Sequence, residues 1–230
     1  MAKVFIGVGH GGNDPGAVGY LVEKEVNLVE ALACRDFLQA HGVEVAMSRT
    51  TDENDPVTAE IEKCNAFEPD LSIDIHNNSG GGKGFEVYYH YKGGISQTLA
   101  ENIETEVKAI GQTSRGCKTR INSSGRDYYA FIRETICPAV ICEGCFVDNA
   151  EDVKIADTPE KQKAFGVAYA KGILRTLGIS IKENSEPQVA ESADAKYYVQ
   201  VGAYSQRENA EKQLQKAKKA GFTDAFIKEF

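Results

Sequence analysis

Four short segments carry residues able to hold a divalent ion and move a proton: Gly9-His10-Gly11-Gly12, Glu23-Lys24-Glu25-Val26-Asn27, Asp74-Ile75-His76-Asn77-Asn78 and Cys142-Glu143-Gly144-Cys145. Two imidazoles and one carboxylate form the ligand set of a catalytic zinc, which leaves a position open for water. A further carboxylate beside the ion supplies the group that accepts and releases protons. Together the segments point to a metal-assisted hydrolase.

Each residue also has a plainer reading. His10 could be incidental to a glycine-rich turn, although glycines let the backbone crowd a ligand and take unusual dihedrals. Glu23 could simply complement the positive end of a helix. His76 could be a core histidine, but the polar Asn77, Asn78 and Ser79 after it favour function. Glu143 ends an apolar run, where a carboxylate is costly unless paired; either a nearby metal or a salt bridge to Arg126 or Arg133 would explain it. Cys142 and Cys145 could be half of a structural zinc site or a redox pair. A second ligand pair is missing, and Gly144 with Asp148-Asn149 suits a loop better than a helix start. The two other histidines, His41 and His90, read as surface residues, and Cys34, Cys64, Cys117 and Cys137 as small buried apolar ones.

For these side chains to meet, ordered elements must bring them together. Apolar runs predict strands over 3–8, 43–47, 71–75, 84–90 and 139–143. Helical periodicity predicts helices over 25–40, 55–67 (with Pro56 in its first turn), 97–110 and 159–177. This alternation implies an α/β fold, a mostly parallel twisted sheet with helices on both faces. Ligands in such sheets collect at the carboxyl ends of the strands, where His10, His76 and Glu143 all fall. Residues 1–179 read as the catalytic domain and the polar stretch 180–196 as a linker. Residues 197–230 read as a small C-terminal β-α-β unit, with strands over 197–204 and 225–230 and a helix over 205–220.

Composition narrows the choices. The net charge of −8 over 230 residues argues against nucleic acid, which needs a positive face. That charge lies on residues 1–180, since residues 181–230 carry eight charges of each sign. No apolar run approaches the ~20 residues needed to cross a bilayer, so no membrane is expected. The first residues enter a strand at once without a cleavage site, which predicts cytoplasmic synthesis without a signal peptide. Six cysteines in that setting do not predict a disulfide framework.

The motifs resemble those of the zinc-dependent N-acetylmuramoyl-L-alanine amidases, which cut peptide stems from bacterial peptidoglycan. Residues 9–17, Glu23-Lys24 with Asn27-Leu28, Ser48-Arg49-Thr50 with Asp52, 72–78 and 138–149 carry the likeness. The resemblance implies Zn²⁺ held by His10, Glu23 and His76, with Glu143 as the catalytic carboxylate. The family often has Arg in the helix before the third motif, where this chain has Glu60-Ile61-Glu62-Lys63; the cysteines flanking Glu143 are also unusual. Tyr198-Val199-Gln200-Val201-Gly202-Ala203-Tyr204 resembles the first half of a SPOR repeat, a peptidoglycan-binding module. Two such halves from two chains would complete one sheet, which predicts a homodimer through the C-terminal segment. The implied enzyme is a phage endolysin or a sporulation autolysin that acts on the bacterial cell wall after release. Competing readings are a zinc deacetylase or carboxypeptidase and an inactive wall-binding protein.

Overall fold

The computed structural model describes residues 1–182, 206–219, 222, 226 and 227. The chain divides into two compact units, Met1–Gln188 and Val189–Phe230. The first contains six strands: β1 (Lys3–Val8), β2 (Glu44–Met47), β3 (Leu71–Asn78), β4 (Phe85–Tyr89), β5 (Ser114–Lys118) and β6 (Ala139–Phe146). Its helices are α1 (Glu23–Ala40), α2 (Val57–Phe67), α3 (Ile95–Ala109), α4 (Ala130–Glu134) and α5 (Pro159–Thr176). In the second unit the described element is α6 (Arg207–Lys219). The expected strands over 197–204 and 225–230 lie outside the described residues, apart from 226 and 227, which are in neither strand nor helix.

The strands form one sheet in the order β2-β1-β3-β6-β4-β5. All neighbours are parallel except β4 and β6. The sheet is thus mostly parallel, as the alternation of elements implies, but β4 and β5 run against the other four. Helices α1, α3 and α5 cover one face around Val4, Ile6, Ile73, Ile75, Val87, Val140 and Leu174. On the other face α2 and α4 pack on Phe5, Ile141 and Ala139. Gly166 permits the close crossing of α5 on α1, because a Cβ there would overlap the Glu30 carbonyl.

Several boundaries differ from the sequence reading, each for a local reason. Pro56 is extended (ψ 144°) and precedes α2 instead of entering its first turn. α1 begins at Glu23, two residues early, with its Glu23 N–H donating to Ala17 O at 3.0 Å. β6 runs on through Gly144 and Cys145 to Phe146, so the Cys-x-x-Cys lies in a strand and not a loop. β5 lacks apolar alternation and bends at Gly116, whose φ is 95°; as an edge strand it needs no buried face. α4 has five residues, too few for periodicity to register. His41 and His90 are half-buried: His41 stacks on Phe37, and the His90 ring lies 3.1 Å from Asp127 Oδ2. Cys34 and Cys64 are buried, whereas Cys117 and Cys137 are partly exposed.

Candidate metal centre

The carboxyl ends of β1, β3 and β6 bring the four motifs together. β1 ends at Val8, and Gly9 N–H donates to Ile75 O on β3 at 3.0 Å. Gly9 has no room for a side chain, because a Cβ would fall on the His76 ring. His10 follows with φ 64°, the left-handed conformation, which is costly for a residue with a side chain. That turn aims its imidazole back across the sheet edge toward α1.

Glu23 opens α1 and is 4% exposed. Its Oε2 accepts from Ala17 N–H at 2.8 Å, and its Oε1 accepts from Asn77 N–H at 3.2 Å. The same Oε1 lies 3.2 Å from His10 Nε2 and 3.0 Å from His76 Nδ1. One ligand atom from each of His10, Glu23 and His76 lies within 4.8 Å of the others. This donor set fits zinc: bonds of about 2.0–2.1 Å in a tetrahedron place ligand atoms ~3.3 Å apart.

The ring nitrogens facing away from Glu23 are held by carboxylates. His10 Nδ1 lies 2.8 Å from Asp14 Oδ2, and His76 Nε2 lies 3.2 Å from Asp74 Oδ2. Such partners fix the tautomer and orientation of a metal-binding histidine. Burial opposes the charged form of His76, but Asp74, Glu23 and Glu143 outweigh it and hold its pKa well above the ordinary value. The hydrogen bond to Glu23 raises His10 against the opposing effect of burial. Burial favours the neutral form of Glu23, yet the two histidines pull it well below the usual carboxylate range.

Glu143 stands opposite His76 in the β3–β6 register, so both side chains point to the face covered by α2 and α4. Burial, opposed by His76 and assisted by Glu23, Asp74 and Glu86, pushes its carboxyl up to about 7. A carboxyl in that range both accepts and gives up a proton near neutral pH. The expected alternative of a salt bridge to Arg126 or Arg133 is not realised; both arginines pair with Glu134. The neighbouring Cys142 and Cys145 are buried in the core as free thiols.

The sequence reading assigned no role to the residues that lock these elements together. Asn77 Nδ2 donates to Asn27 Oδ1 at 3.0 Å, Asn27 Nδ2 donates to Gly9 O at 3.0 Å, and Cys145 N–H donates to Asn77 Oδ1 at 2.9 Å. Asn77 thereby fills the register shift between β3 and β6 and ties α1 to both strands. Arg49, 2% exposed, donates to the carbonyls of Val8, Gly9, Lys24 and Thr51 and joins the turn after β1 to the start of α1. Polar types amid apolar runs (Asn27 in the α1 periodicity, Asp74 in the β3 run) were the available signal.

Two turns beyond Glu23 on the same face of α1, Glu30 is fully buried and neither carboxyl oxygen makes a well-formed hydrogen bond. Burial raises its pKa well above the ordinary 4.5, so the folded protein keeps the proton. The unfolded chain releases that proton as pH passes the ordinary value, so stability falls from there upward, by up to about 1.4 kcal/mol per pH unit. Glu30→Gln keeps the shape without the titration. Its melting temperature is expected to gain on the wild type as pH rises from about 5 to 8; parallel pH profiles would contradict this.

Known proteins give an independent comparison. The family described as N-acetylmuramoyl-L-alanine amidase matches residues 4–175, and the SPOR domain family matches residues 193–229. The N-acetylmuramoyl-L-alanine amidase CwlM of Bacillus licheniformis is 33% identical over 232 residues, covering 99% of this chain and 85% of that protein. A sporulation-specific N-acetylmuramoyl-L-alanine amidase of Bacillus subtilis is also 33% identical, over 96% of this chain and 83% of its own. Among solved structures, the catalytic domain of the amidase CwlV from Bacillus (Paenibacillus) polymyxa superposes with a TM-score of 0.70 at 28% identity, covering 78% of this chain and all of that one.

Proposed function

The chain belongs to the N-acetylmuramoyl-L-alanine amidase family, and on that premise we propose that it works with zinc held by His10, Glu23 and His76 and with Glu143 as its proton carrier. Its activity is hydrolysis of the amide between N-acetylmuramic acid and L-alanine in peptidoglycan, and it acts on the cell wall. Among the described residues no helix is long and apolar enough to cross a membrane. The observation that carries the site assignment is the convergence of two imidazoles and one carboxylate within 4.8 Å, one strand away from Glu143.

Bound zinc supplies Lewis acidity for the amide carbonyl and lowers the pKa of water toward 7. The protein supplies the rest. Asp14 and Asp74 hold the imidazoles in place, and Asn77 and Ala17 N–H groups hold Glu23. Glu143 takes a proton from the attacking water and delivers it to the alanine nitrogen as the C–N bond breaks. Digestion of purified sacculi, followed by labelling of new amino termini, tests the reaction. New N-terminal alanine with no new reducing sugar is expected; release of acetate or of free C-terminal amino acids would favour a deacetylase or a carboxypeptidase.

The proposed division is a catalytic domain over 1–179, a linker over 180–196 and a wall-binding segment over 197–230. Pairing of two tails to complete one sheet is proposed from the sequence pattern alone. Light scattering after size exclusion tests it: a strict monomer at high concentration contradicts the homodimer.

A further inference from the structure

The row of side chains across the sheet does not stop at Glu143. Its partner on β4 is Glu86, on the same face, and β5 lies beyond. Glu86 is 4% exposed and is fully engaged: its Oε1 accepts from Arg115 and, at 2.8 Å, from Lys118 Nζ, and its Oε2 accepts from Tyr88 Oη at 2.9 Å. One carboxylate is therefore matched by two cations, which leaves a surplus positive charge and free donors. The side chains of Arg115 and Lys118 are 41% and 33% exposed. The cations on the other side of the centre are engaged elsewhere, Lys24 by Asp52 and the Gly12 carbonyl and Arg49 by backbone carbonyls.

This surplus lies beside an otherwise acidic site. Asp14, Glu23, Asp74 and Glu143 would repel an anionic substrate in a chain of net charge −8. Strand spacing puts Glu86 and the cations on it ~5 Å beyond Glu143. An extended peptide advances ~3.3–3.6 Å per residue, so the residue after the alanine reaches them.

We propose that Arg115 and Lys118 form a subsite for a carboxylate carried by the stem residue that follows L-alanine. The reading rests on the amidase function and names the part of the substrate that the site selects. Guanidinium and ammonium donors aimed at a carboxylate give charge-assisted hydrogen bonds, which a carboxamide in the same place cannot match. The stem would then run from β6 across β4 to β5, with the muramyl sugar on the side away from β5. Basic residues on an edge strand can also serve to prevent edge-to-edge pairing. That role alone would leave substrate choice unchanged.

The test compares N-acetylmuramoyl-L-alanyl-D-glutamine, whose γ-carboxyl is blocked as an amide and whose α-carboxylate is free, with the same compound amidated at the α-carboxyl as well, using zinc-loaded protein. The wild type is expected to favour the acid by about tenfold in kcat/KM, mainly through KM. Arg115→Met and Lys118→Met each lose most of that preference with kcat on the acid little changed. Each single variant leaves Glu86 with the remaining cation and Tyr88, and the triple variant Glu86→Gln/Arg115→Met/Lys118→Met, which removes the carboxylate with both cations, serves as a further control and shows no preference. A wild type that cuts both substrates equally, or variants that keep the preference, would overturn the subsite. Failure of the wild type to release N-terminal alanine from sacculi would instead overturn the amidase reading, and the subsite with it.

Discussion

Replacing Glu143 by glutamine is expected to leave a folded, metal-loaded protein that cuts peptidoglycan about 10²–10⁴-fold more slowly. Glutamine has the same shape, and it removes a carboxyl that burial and the neighbouring Glu23, Asp74 and Glu86 already hold against ionisation. The fold therefore loses nothing from the change, while the reaction loses its proposed proton carrier. The effect belongs in kcat, because a proton carrier acts as the bond breaks. Zinc content and melting temperature of the variant should match the wild type. A variant that cleaves sacculi at the wild-type rate would remove Glu143 from the mechanism.

Stripping the metal with a chelator is expected to abolish release of N-terminal alanine, and added zinc to restore it. A second readout does not depend on catalysis. An ion that binds the folded state alone stabilises it by about 2.7 kcal/mol at a hundred times its Kd, which for a domain of this size raises the melting temperature by about 5–10 °C. Gly9→Ala should erase that rise, since its Cβ would displace the His76 ring from the other two donors. Protein shown by elemental analysis to be free of metal yet fully active would refute the ion's role. A Gly9→Ala protein with an undiminished zinc shift would refute the donor set.

Much of the site was legible in the chain because its signals are local. The runs at 3–8, 71–75 and 139–143 each end in a chemical residue, and ligands in α/β sheets gather at such ends. Glycines around His10 announced a backbone that needs unusual dihedrals, and the structure places His10 at φ 64° there. The sequence reading could not separate Glu143 near a metal from Glu143 in a salt bridge with Arg126 or Arg133. The β3–β6 register sets it opposite His76, while both arginines went to Glu134, which removes the salt bridge and supports the proposed metal-side reading.

Residue types and spacing determined the fold class, the strands that carry the site and the four motifs, because apolar period and turn chemistry act over a few residues. Tertiary structure alone decided which strands pair and in which direction. The reversal of β4 against β6 places Glu86 beside Glu143, and β5 then brings Arg115 and Lys118 onto it. It also decided that Asp14 and Asp74 back the two histidines and that Glu30 lies buried without a well-formed hydrogen bond. Period reveals which face of a strand is buried, but not its neighbour; pairing depends on contacts between residues far apart in the chain.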